Sequence, residues 1–132
     1  MFARMLLASC AAVASALPAL ADDCAAPPPE ITGQLRIVET SHLNGTLIRA
    51  FVVFVEDGPC ASLEDMEGER SDVFIRDVHL APKDGEAPGW ADAIGRDVTV
   101  RGRMGLPFTA WHVGSSMMFD AVMSSVHAPD EE

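Results

Sequence analysis

The chain has 132 residues and a mass of 14.1 kDa, enough for one domain. It is 48% hydrophobic and 22% charged, which excludes compositional disorder. Lys and Arg number 9 against 20 Asp and Glu, a formal net charge of -11, and this excess argues against phosphate-led binding to nucleic acid or to anionic membranes.

In chain order, residues 1–21 are expected to be a secretory leader. Arg4 supplies the positive start, Met5 to Leu17 is apolar, and Pro18 breaks any helix. Ala19-Leu20-Ala21 provides the small residues that precede cleavage between Ala21 and Asp22. The apolar run is shorter than the roughly 20 residues a bilayer span needs, so no stable membrane insertion is expected. The expected location is the periplasm or the medium of a Gram-negative type of cell. A lipoprotein is the alternative, because Leu7-Ala8-Ser9-Cys10 fits a lipobox. Cleavage after Ala21 removes Cys10 and leaves Cys24 and Cys60, and an even pair in an exported chain reads as a disulfide.

Residues 22–29 form a proline-rich lead-in, residues 30–127 the folded domain, and residues 128–132 an acidic tail. A first strand is predicted where Ile31, Gly33, Leu35 and Ile37 alternate with polar residues. Asn44-Gly45 is a turn signal leading into a second strand over 47–55, whose run Phe51-Val52-Val53-Phe54-Val55 suits burial on both faces. Residues 61–72 hold Glu64, Asp65, Glu67, Glu69 and Asp72 and read as a solvated loop; their spacing is not that of a calcium loop. Val73-Phe74-Ile75 opens a third strand, in which the parity slip before Val78 and Leu80 predicts a β-bulge at Arg76-Asp77.

Pro88 to Ile94 reads as a short helix with Trp90 and Ile94 on one face and Gly95 as its stop. Val98 to Met104 is a fourth strand, residues 105–114 a loop with Pro107, Phe108, Trp111 and His112, and Met117 to Met123 a fifth strand. Five strands with one short helix between the third and fourth predict an all-β, OB-fold-like barrel. Gly33 and Gly102 suit strands so sharply coiled that a side chain would collide.

In this order the segments resemble the bacterial exported family catalogued as domain of unknown function 4431. The matching stretches are Cys24 ahead of Glu30-Ile31-Thr32-Gly33-Gln34-Leu35, then Phe51 to Cys60, then Ile75-Arg76-Asp77-Val78-His79-Leu80. They continue with Ile94 to Arg103 and with Phe108-Thr109-Ala110-Trp111-His112. The resemblance implies an OB-like barrel in the periplasm and a matched pair Cys24–Cys60, and it implies no activity. The chain departs from that family's His-rich segment before the last strand, since His112 is followed by Val113-Gly114-Ser115. That departure weakens any metal role.

The candidate ligand-binding residues are Trp111, His112, Phe108, Arg101 and Arg103, at the rim of the predicted barrel. Arg96, Arg101 and Arg103 are the basic cluster, expected to pair with acids such as Asp97 and the acidic loop. His42 and His127 are expected at the surface. A copper- or zinc-handling role is a second reading, carried by His112 with Met117 or Met118, although methionines on an apolar strand usually fill core. A third is an acidic inhibitor of a basic envelope or host enzyme.

No nucleophile elbow, phosphate loop or distinguished carboxylate pair is present, so the chain reads as non-enzymatic and without a cofactor. The expected partner is an envelope protein, a peptide, a glycan or a small ligand rather than nucleic acid. The sequence leaves monomer and small oligomer open.

Overall fold

A computed structural model of the chain describes residues 24–109 and 112–129. The expected leader, its cleavage point at Ala21–Asp22 and the Cys10 alternative lie outside the described residues, as do Trp111 and residues 130–132.

The described residues form seven strands: β1 (Glu30–Ser41), β2 (Leu47–Phe54), β3 (Cys60–Glu64), β4 (Arg70–Phe74), β5 (Asp77–Pro82), β6 (Asp97–Gly105) and β7 (Ser116–Val126). Five of them pair in the order β1-β2-β5-β7-β6, and β6 pairs back onto β1, closing the sheet into a barrel. Every neighbour is antiparallel except β5 with β7, which run parallel. Closure pairs both edges over the barrel proper, and the β1–β2 hairpin extends beyond it from Arg36 to Phe51. Inward residues from all five strands, among them Leu35, Val53, Val78, Val98, Val100 and Met118, fill the centre. β2 is buried on both sides as its unbroken apolar run suggested, with Val53 inward and Val52 outward, both shielded from solvent.

Two glycines permit the coiling. A Cβ on Gly102 would lie 2.6 Å from the Phe119 carbonyl oxygen, and one on Gly33 would collide with the Phe54 carbonyl. Opposite Gly102 the register slips between Arg101 and Arg103, and Asp120 takes a φ of 51°. This β-bulge in β7 lets Met118 and Ala121, three residues apart, both join the core, while Met117 is buried on the outward face beside His79.

Three expectations need correction. Residues 61–72 are not a loop but carry most of a two-stranded hairpin, β3 with β4, separate from the barrel. Its turn is set by Asp65, whose carboxylate accepts the Glu67 and Glu69 amides at 2.8 and 2.9 Å, with Gly68 at φ 84°. The slip at Arg76 is not a bulge inside one strand. The chain leaves the hairpin at Phe74 and enters the barrel at Asp77; between them Ile75 donates its amide to Pro59 and Arg76 accepts from Val55.

The expected helix over 88–94 is also absent. Two single 3-10 turns, Lys83–Gly85 and Ala91–Ala93, stand between β5 and β6 instead. Gly89 and Gly95 both adopt positive φ, leaving too few residues between them to nucleate an α-helix. Trp90 is buried edge-on against Phe51, ring centroids 5.3 Å apart, while Ile94 is exposed.

Cys24 and Cys60 form a disulfide with Cα atoms 5.2 Å apart. The lead-in then runs beside β3: Ala25 bridges Ala61 and accepts the Ser62 amide at 2.9 Å. Buried Ala61 and Leu63 seat the hairpin on the barrel core. No helix among the described residues is long and apolar enough to cross a membrane.

Candidate functional site

The β6–β7 loop and the β3–β4 hairpin face one another across a groove of about 390 Å³. The hairpin wall contributes Glu64, Asp65, Met66 and Arg70; the opposite wall contributes Arg103, Phe108 and Phe119. Gly105 and Leu106 join the two, and the Leu106 amide donates to the Glu64 carbonyl at 3.1 Å. Met66 and Phe108 are 73% and 46% exposed, so apolar surface is left open on both sides. The charges in the groove balance. Arg70 pairs with Glu64 at 2.9 Å, and Arg103 lies 4.0 Å from Asp120, while its guanidinium sits 5.3 Å from the Phe119 ring centroid.

The aromatic residues continue as a row. Phe108 stacks on Phe119 with centroids 5.9 Å apart, His112 meets Phe108 edge-on at 4.6 Å, and His79 meets His112 edge-on at 5.4 Å. Phe108, His112 and Arg103 are therefore brought to one region, as their sequence positions suggested. Arg101 stands apart from the groove, 3.6 Å from Glu30. Arg96 donates to the His127 carbonyl at 2.7 Å. The partners of the basic cluster are thus Glu30, Asp120 and a backbone carbonyl, not Asp97 or the acidic hairpin.

His79 was not singled out by the sequence. Its neighbours across the sheet, Val52 on β2 and Met117 on β7, share its outward face. Its Nδ1 accepts the Val113 amide at 3.0 Å. Burial, followed by the nearby His112, lowers its pKa to about 4, and burial lowers that of His112 as well. Parity shows that His79, between inward Val78 and Leu80, points outward, but only the distant loop contacts show that it is covered.

The remaining histidines are ordinary. His127 is exposed and hydrogen-bonds Thr99 through Nε2 at 2.8 Å. His42 is half-buried in the β1–β2 turn, where its Nδ1 accepts the Asn44 amide.

The same geometry bears on metal binding. Met118 belongs to the core and Met117 is buried. An amide donating to Nδ1 leaves the His79 proton on Nε2, the opposite of a ligating histidine that donates its second nitrogen to an acceptor. No group of three or more His, Cys, Asp or Glu converges among the described residues.

A second groove, about 850 Å³, opens at the start of β5 beside Asp77 and is net acidic, with Glu56, Asp57, Asp77 and Asp97 around Arg36 and Arg76. Comparisons with family models, curated proteins and solved structures yield no match to this chain.

Proposed function

We propose that this protein is an exported, OB-like binding module of the bacterial envelope that holds a ligand without transforming it. The groove between the β3–β4 hairpin and the β6–β7 loop is its binding face. The observation that carries this reading is the solvent-open apolar surface of Met66 and Phe108 on opposite walls, framed by the ion-paired guanidinium groups of Arg70 and Arg103. Such a surface suits a ligand that buries an apolar face and hydrogen-bonds at its edges, such as a short peptide or a glycan. The balanced charge of the walls gives no preference for a polyanion.

The OB-like reading is supported by the closed order β1-β2-β5-β7-β6 with its one parallel pair. Loops between the last two barrel strands are a common binding place in that architecture. Export is supported by the leader-like first 21 residues and by the Cys24–Cys60 disulfide, which persists in oxidising compartments.

The test is titration of the protein with a panel of tripeptides bearing aromatic or aliphatic side chains and of cell-wall oligosaccharides. At least one class should bind, and Phe108→Ala should weaken it at least about tenfold while leaving thermal stability unchanged. Equal binding by the variant would remove the groove from the account.

A further inference from the structure

The covering of His79 is more specific than packing requires. His79 stands mid-strand in β5, and the β6–β7 loop lies across it. Three contacts fasten that loop. The Val113 amide donates to His79 Nδ1 at 3.0 Å, the Ser115 hydroxyl donates to Asp77 Oδ1 at 2.9 Å, and Gly114, at φ 84°, sits so close to β5 that a Cβ would lie 2.6 Å from the Asp77 carbonyl oxygen.

An amide N–H can only donate, so Nδ1 must present a lone pair, and the neutral ring carries its proton on Nε2. Protonation of Nδ1 sets two donors against each other, which replaces an attraction with a repulsion and orphans the Val113 amide. The groups beside the ring are Val52 from β2, Met117 from β7 and His112 from the loop, and Asp77 is the nearest acid on its own strand, two residues away. The first two are uncharged. Asp77 is engaged by the Ser115 hydroxyl, and burial first, then His112, disfavour the imidazolium.

We propose that His79 is a positioning residue for the β6–β7 loop: its unprotonated Nδ1 fastens Val113 and thereby sets Phe108 and His112, and acid releases them. The consequence for ligand binding rests on the function proposed above. The loop release itself does not, and it is read without any ligand.

The experiment is nitrogen-15 NMR of the full chain between pH 7 and pH 3, on the wild type, His79→Asn and His79→Leu. The Asn side-chain oxygen can accept the Val113 amide but does not titrate. In the wild type His79 should be the Nε2–H tautomer at pH 7, and Val113 should lose hydrogen-exchange protection about tenfold or more with a midpoint near 4. His79→Asn should keep Val113 protected throughout, and His79→Leu should lose protection already at pH 7. The Leu35 and Val98 amides, in the core, should stay protected in all three. The proposal is overturned by an Nδ1–H tautomer at pH 7, by Val113 protection that ignores the His79 titration, by an unprotected Val113 in His79→Asn, or by core and loop losing protection together.

Discussion

The two walls of the groove are held in place by different chemistry. The β3–β4 hairpin is fastened covalently through Cys24–Cys60, by the Ala25 bridge, and by buried Ala61 and Leu63. The β6–β7 loop has no covalent fastening among the described residues; its anchors to β5 are side-chain hydrogen bonds to His79 and Asp77 and a glycine at positive φ. One wall should therefore respond to reductant and the other to acid. A groove with one fixed and one releasable wall can admit ligands that two rigid walls would exclude.

The comparison can be broken most forcefully on the covalent side. Replacing both Cys24 and Cys60 by Ser should lower unfolding free energy by about 3–4 kcal/mol, measured in denaturant, because the closed loop is long. Val113 protection should be unchanged by it, since the loop does not depend on the disulfide. On the other wall, Gly114→Ala should cost about 2 kcal/mol through its positive φ and the nearby Asp77 carbonyl, and should expose Val113 to exchange.

Acid provides a third test. The pKa of His79 is lowered to about 4 from an unfolded value of 6.5, so the unfolded state binds more protons between those limits. Stability from the neutral ring is fully present above pH 6.5 and is lost as pH falls toward 4, by about 2 kcal/mol after allowance for partial exposure. His79→Asn should flatten that slope in denaturation curves measured at pH 7 and pH 4.5. The smallest effect belongs to the exposed pair Arg49–Glu39 at 2.8 Å, distant from both walls. Arg49→Ala should change stability by under about 0.5 kcal/mol, and a larger change would show that surface charge holds this barrel more firmly than its burial pattern implies.

The barrel strands were legible because each has an inward apolar row that alternation reveals. Gly33, Gly102 and the parity slip near Arg76 marked real departures from a plain strand, although the slip proved to be a change of sheet. β4 was hidden because four of its five residues are exposed, so it lacks the alternation that identifies a strand, and its acids resemble those of a loop. The helix expectation failed at Gly89 and Gly95, where two backbones at positive φ outweighed the Trp90–Ile94 spacing. Within the site, Phe108, His112 and Arg103 could be proposed because aromatic and basic residues cluster in and beside one loop. His79 and Met66 could not, since their roles depend on contacts far away in sequence. Composition does not register such contacts.

We propose the groove between hairpin and loop, rather than the larger acidic groove beside Asp57 and Asp97, as the binding face. The most direct measurement is a nitrogen-15 NMR screen of the protein against a library of small uncharged aromatic and sugar-like fragments. Shifts should cluster on Met66, Arg70, Arg103, Phe108 and Phe119. Shifts gathered instead on Arg36, Asp57, Asp77 and Asp97 would place binding in the acidic groove and rule out the hairpin–loop groove.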